Sequence, residues 1–98
     1  MNNITPKQRS KLRALAHHLK PLVLIGKSGI SSGVIVSISQ LLDSHELIKV
    51  KFLDNTYNRN EFLDIVKSNL SCSVVGEIGR TFILYKYQED NKKRKIRL

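Results

Sequence analysis

The fold is decided by the stretch Leu22-Val23-Leu24-Ile25-Gly26-Lys27-Ser28-Gly29-Ile30-Ser31-Ser32. Its four leading aliphatic residues are typical of a short buried strand, and the serines at its end are typical of a helix start. The loop between them has two glycines, which leave backbone N–H groups uncovered and permit a positive φ, and a lysine that adds charge. Because the first acidic residue of the chain is Asp43, this loop is predicted to hold the phosphate backbone of a polyanion.

Hydrophobic periodicity on either side of this stretch predicts three helices. Thr5 can cap a first helix that begins at Pro6, and Pro21 should end it. Asn58, with Glu61 three residues later, is a capping arrangement for a third helix. Residues that share one face recur at helical spacing in the three helices: Leu12, Leu15, Ala16 and Leu19; Val34, Ile38, Leu41, Leu42 and His45; Phe62, Ile65, Val66 and Leu70. The apolar ones are expected in the core, and His45 is interpreted as a residue at the helix end.

The clearest strand pattern follows the second helix. Ile48, Val50 and Phe52 alternate with lysines, which is typical of a strand with one covered face. The β-branched run at 34–36 would also suit a strand, and propensity alone leaves that alternative open.

Two further strand-like runs, 72–78 and 81–87, flank Gly79-Arg80 as the arms of a hairpin would. A second glycine pair, Gly76 and Gly79, is therefore interpreted as strand and turn. We expect an α/β protein of the α+β type, a single α-β-α-β-α-β-β domain in which helices pack on a mixed four-stranded sheet.

The charge of the chain predicts its class of partner. There are 17 Lys and Arg residues against eight Asp and Glu, a net charge of +9, which indicates a polyanion without separating RNA from DNA or an anionic membrane. At about 100° per residue, Arg9, Arg13 and Lys20 lie along one flank of the first helix and can extend a contact made by Lys27. An ordinary solvated helix surface is the alternative.

The last residues, 89–98, form a separate basic segment that contains Lys92-Lys93-Arg94-Lys95 and Arg97. After a domain at 1–88, we expect a mobile or loosely docked tail. Such a tail either adds sequence-blind attraction to phosphates or serves only solubility.

Four blocks in order resemble the signatures of the YhbY family, the stand-alone bacterial form of the chloroplast RNA splicing and ribosome maturation (CRM) domain. The resemblance runs from about Thr5 to Tyr87. It implies an RNA-binding protein associated with precursors of the large ribosomal subunit, a fold similar to the C-terminal domain of translation initiation factor three, and a loop similar to the GxxG loop of KH domains. The blocks are 15–21, 23–30, 45–51 and 78–85.

By this resemblance the loop is Gly26 to Gly29, and the basic surface includes Lys20 and Lys27. The predicted function is to bind ribosomal RNA of large-subunit precursors and to assist ribosome assembly. The candidate RNA-binding residues are Gly26, Lys27, Ser28, Gly29, Arg9, Arg13 and Lys20.

Other classes of function fit the sequence less well. A nucleotide-binding P-loop would need a glycine where Pro21 stands. His17, His18, His45 and Cys72 lack the spacings of a metal site. Since no nucleophile, base and acid form a recognisable pattern, we expect no enzyme, no cofactor and no small-molecule substrate.

Two binding functions stay open as alternatives, a module that docks on ribosomal proteins and a non-specific binder of polyanions or membrane surfaces. No apolar run is long enough to span a membrane, and Cys72 is the single cysteine. We therefore expect a cytoplasmic protein, with a monomer as the default.

Overall fold

Three helices and four strands alternate along the chain in the computed structural model, which describes residues 4–98. The predicted α-β-α-β-α-β-β order is confirmed. The elements are α1 (Pro6–Ala16), β1 (Val23–Ile25), α2 (Ser32–His45), β2 (Leu47–Phe52), α3 (Arg59–Ile65), which continues into a π-helical segment (Val66–Leu70), β3 (Ser73–Ile78) and β4 (Thr81–Tyr85).

The four strands form one mixed sheet in the order β1-β2-β4-β3. β1 pairs parallel with β2, whereas the β2–β4 and β3–β4 pairs are antiparallel. β1 and β3 are therefore the two edges, three strand spacings apart, or about 14 Å. The predicted mixed sheet and the final hairpin are confirmed.

The core has two parts, one on each face of the sheet. On one face Phe62 of α3 and Ile38 of α2 pack against Ile48, Val50 and Phe52, so the alternation predicted for β2 is confirmed. On the other face α1 buries Leu12 and Ala16 against β2, β3 and β4. α1 thus packs on one face of the sheet, together with Tyr87 and Ile96 of the C-terminal segment, while α2 and α3 share the opposite face.

Helix caps confirm two of the predicted starts. The Thr5 hydroxyl accepts from the Gln8 N–H, and the Gln8 side chain accepts from the Thr5 N–H, a reciprocal pair that satisfies two exposed donors. The Asn58 side chain accepts from the Glu61 N–H at 3.0 Å. Ser31 caps α2 through the Val34 N–H, and with this start the β-branched run at 34–36 is helical.

The end of α1 differs from the prediction. The helix ends at Ala16, before Pro21 is reached. Leu15, within α1, and Leu19, beyond its end, are 43% and 40% exposed, so their assignment to the core was wrong. His45 is exposed at the last position of α2, as interpreted from the sequence.

The basic tail docks on the domain through Glu46, which is buried and has a φ of 67°. Its carboxylate accepts from the N–H groups of Lys95 and Ile96, at 2.7 and 3.1 Å. The Lys11 ammonium donates to the Arg97 carbonyl at 2.6 Å. The tail is thus anchored by backbone hydrogen bonds rather than loosely docked, while the predicted domain boundary at 88 stays a prediction.

Candidate nucleic-acid interface

The loop between β1 and α2 is a tight turn. The Gly29 N–H donates to the Gly26 carbonyl at 3.0 Å, which closes a four-residue turn across Lys27 and Ser28. The turn follows an edge strand directly and leads through Ser31, the cap of α2, into a helix of 14 residues. The sequence prediction of a strand-to-helix turn is therefore confirmed.

The two glycines of the loop serve different needs. Gly29 has a φ of 78°, a conformation that other L-residues adopt only with strain. Gly26 lies outside the left-handed region, and no atom lies within 4 Å of the position that a Cβ would take there. The fold requires glycine at 29 but not at 26, so a bare backbone at Gly26 leaves room for a molecule outside the chain.

Several backbone donors of the loop and the helix start are uncommitted. Within residues 4–98 no group accepts from the N–H groups of Lys27, Ser28, Ser32 or Gly33. The first two are in the turn, and the other two belong to the first turn of α2, where the helix dipole adds positive potential. Together they form a surface of donors suited to an anionic oxygen-rich ligand.

Two cations lie beside this surface. The Lys27 ammonium has no hydrogen bond or ion pair with any of residues 4–98. Arg80, in the β3–β4 turn, lines the same cleft as Gly26 and Lys27, and its guanidinium donates to the Leu53 carbonyl at 3.2 Å. Arg80 was missed by the sequence prediction, although it lies inside the last family-like block, because only the sheet pairing brings the hairpin turn beside the loop.

Arg9 and Arg13 lie elsewhere. Their guanidinium groups donate to the carbonyls of Val74 and Val75, at 2.7 and 3.3 Å. Both acceptors belong to β3, the edge opposite to β1. The structure therefore does not bring Arg9 and Arg13 next to the loop, and part of their donor capacity holds α1 on the sheet.

Lys20 is also separate from the loop. It lies between α1 and β1, before the point where Leu22 hydrogen-bonds to the Lys49 carbonyl. Roughly 13 Å of extended chain separates Leu22 from Gly26. Lys20 is exposed at the other end of β1, where it can meet only a more distant part of a ligand.

Acidic groups near the loop are few. The Thr56 N–H and hydroxyl donate to the Asp54 carboxylate at 3.0 and 2.9 Å, and these bonds hold the pKa of Asp54 below its usual range. Just before β3, at the opposite edge of the sheet, burial raises the pKa of the Cys72 thiol to about 12, which keeps it protonated and unreactive.

Two other features, a metal site and a membrane-spanning helix, are absent from the part of the chain that the structure describes. Residues 4–98 contain no group of three His, Cys, Asp or Glu side chains placed to hold a metal ion. None of the helices described there has the length and apolar character to span a membrane.

Comparison with known proteins gives consistent results. The CRS1 / YhbY (CRM) domain model matches residues 4–86. Probable RNA-binding protein YqeI of Bacillus subtilis is 37% identical over 90 residues, which cover 91% of this chain and 94% of that protein. An RNA-binding protein of Haemophilus influenzae is 33% identical over 93 residues, with 94% of each chain covered.

A solved structure agrees in fold. The solution structure of SAV1595 from Staphylococcus aureus, a protein proposed to bind RNA, superposes with a TM-score of 0.76 and 32% sequence identity. The match covers 97% of this chain and 100% of that one. The family model and these relatives span nearly the whole sequence, and the chain belongs to the CRS1/YhbY (CRM) domain family.

Proposed function

We propose that this chain binds RNA and that its partner is ribosomal RNA in precursors of the large subunit, whose assembly it assists. Membership of a family with relatives named as RNA-binding proteins supports the first part. The net charge of +9 supports a polyanionic partner. In this proposal the protein acts in the cytoplasm as a monomer, without cofactor or catalysis.

The observation that carries the proposal is Gly26, a position where the fold does not require glycine. At Gly26 the backbone is bare although neither its φ nor its surroundings demand it. A sugar–phosphate segment can lie against this position while the N–H groups of Lys27 and Ser28 donate to phosphate oxygens. The Lys27 ammonium neutralises charge, and the Ser28 hydroxyl donates one more hydrogen bond.

The remaining candidate residues belong to an outer part of the proposed interface. Arg80 is added to the loop because it lines the same cleft. Lys20, Arg9 and Arg13 contact RNA only if it continues across the α1 face. We therefore expect each of them to contribute less to the binding free energy than Lys27 does. Contacts to the backbone carry no sequence information by themselves, and affinity should depend mainly on phosphates.

Crosslinking in cells, followed by sequencing of the attached RNA, tests the proposed partner. We expect large-subunit ribosomal RNA to be enriched over messenger RNA and transfer RNA, and the enrichment to fall for Lys27→Gln. Lys92→Gln, which removes the same charge from the exposed tail, is the matched control and should retain it. Enrichment of messenger RNA or transfer RNA alone would contradict the proposed partner.

A second candidate function, docking on a ribosomal protein, is favoured by one row of side chains. Leu24, Lys51, Thr81 and Ile78 pair across all four strands on the α1 face. α1 leaves this row open, since Leu24 and Ile78 are 58% and 69% exposed. Apolar residues so exposed suit a protein surface better than phosphates.

A further inference from the structure

A cavity of about 190 Å³ adjoins the loop on the α3 side. Gly26, Lys27 and Gly29 line it from the loop, Phe52 and Tyr57 contribute aromatic surface, and Asn58 and Glu61 line it from the start of α3. A cavity of about 150 Å³ can hold benzene. This cavity therefore has room for one nucleobase next to a backbone that crosses the loop.

The aromatic part of the cavity is packed against the core. The Tyr57 and Phe52 rings stack with centroids 4.3 Å apart and planes 13° from parallel. Phe52 in turn contacts the buried Phe62 edge-on at 5.1 Å. A planar ligand beside Tyr57 thus meets a surface that the core already holds in place.

The polar groups of the cavity differ between its two sides: Lys27 of the loop brings an ammonium donor, whereas Glu61 at the start of α3 brings a carboxylate acceptor. Oδ1 of Asp54 accepts both hydrogen bonds from Thr56, as described above. No group among residues 4–98 donates to the Glu61 carboxylate, while the Glu61 N–H is held by Asn58 at 3.0 Å. On the α3 side, the Glu61 carboxylate disfavours a phosphate and favours a base edge that offers donors, whereas the Lys27 ammonium on the loop side suits the phosphate next to that base.

Among the four bases, guanine alone carries two adjacent donors, N1–H and the N2 amino group, on its Watson–Crick edge. Adenine and cytosine pair one amino donor with a ring nitrogen that accepts, and uracil has a single N–H between two carbonyls. A carboxylate can accept both guanine donors with its two oxygens.

We propose that this cavity binds one guanine base of an RNA whose backbone lies on the Gly26–Gly29 loop, and that Glu61 determines this preference. The inference rests on the proposed RNA-binding function. It adds base recognition to a contact that is otherwise made to phosphates.

Fluorescence anisotropy with seven-nucleotide RNAs tests the inference. Heptauridylate is compared with the same RNA carrying one central guanosine, at about 50 mM salt where phosphate contacts are strong. Because contacts to the RNA backbone do not depend on base sequence, the RNA can bind in the position that brings its guanosine to the cavity. We expect the guanosine to tighten binding roughly tenfold, as a bidentate contact does, and inosine, which lacks the N2 amino group, to lose most of that gain.

The variant Glu61→Gln should lose the guanosine preference while its affinity for heptauridylate is kept or slightly raised. Asp64→Asn, which removes the same charge from the same helix outside the cavity, should retain the preference. Equal binding of the two RNAs by the native chain, or a preference that survives in Glu61→Gln, would overturn the inference and leave RNA binding intact. Failure to bind either RNA would overturn both.

Discussion

Two basic regions of this molecule differ in what their polar groups do. We call them the loop region, Gly26–Gly33 with Arg80, and the α1–tail region, which is α1 with residues 86–98. In the loop region, the N–H groups of Lys27, Ser28, Ser32 and Gly33 and the Lys27 ammonium are uncommitted among residues 4–98, and Arg80 donates to the Leu53 carbonyl. In the α1–tail region Arg9, Lys11 and Arg13 donate to the chain's own carbonyls.

The α1–tail region holds more cations, yet many of them stabilise the fold. Arg94 lies over the Tyr87 ring at 4.3 Å and donates to the Gln88 carbonyl, and the Lys95 ammonium donates to Ser44. Charge density alone would point to cations that already have partners within the chain. The proposed binding surface is therefore based on the cations and amides that are uncommitted.

The largest expected effect is on the salt dependence of RNA binding. An interface that neutralises about four to five phosphates has a log–log slope of roughly −3 to −4.5, so affinity falls on the order of a hundredfold between about 50 and 200 mM salt. Lys27→Gln with Arg80→Gln should make this slope shallower by about two. Titrations at several salt concentrations measure it.

The matched control removes the same charge from the tail, as Lys92→Gln with Lys93→Gln, both exposed. This double variant should change the slope much less. Equal changes in the two variants would remove the distinction between the regions and indicate a diffuse polyanion binder.

A smaller effect, on stability alone, is expected in the α1–tail region. Glu46→Ala removes the acceptors of the Lys95 and Ile96 N–H groups and should lower the free energy of unfolding by about 2 kcal/mol. The positive φ of this position strains alanine about as much as glutamate, so the loss in free energy of unfolding reports on the carboxylate. Denaturant unfolding measures it, and RNA affinity of the folded variant should be unchanged. An unaltered unfolding midpoint would contradict the anchoring role of Glu46.

The sequence predicted the fold better than the site. The alternation of Ile48, Val50 and Phe52 is a local pattern, and all three side chains lie on the covered face of the sheet, as it predicts. The carbonyl that accepts from Arg9 is 65 residues away along the chain. Arg80 lies beside the loop because β4, which follows it, pairs with β2. Helical periodicity shows which flank carries a guanidinium, but only tertiary structure shows whether a carbonyl already occupies it.

Gly26 also shows what a local sequence pattern cannot predict. The sequence suggests that both loop glycines allow a positive φ, yet only Gly29 uses one. That Gly26 has open space around it follows from the packing of distant segments, which no local pattern encodes.

The most direct test of the account compares Gly26→Leu with Gly76→Ala in RNA affinity and thermal midpoint. A Cβ at Gly76 would lie 3.0 Å from Arg13 Cδ and 3.1 Å from Ile83 Cδ1, so this control should lose about 1 kcal/mol of stability and keep its affinity. Gly26→Leu enters open space and should keep its midpoint within about 2 °C while RNA affinity falls at least about tenfold. A folded Gly26→Leu variant that binds RNA as tightly as the native chain would contradict the central claim that the bare backbone of this loop holds the RNA.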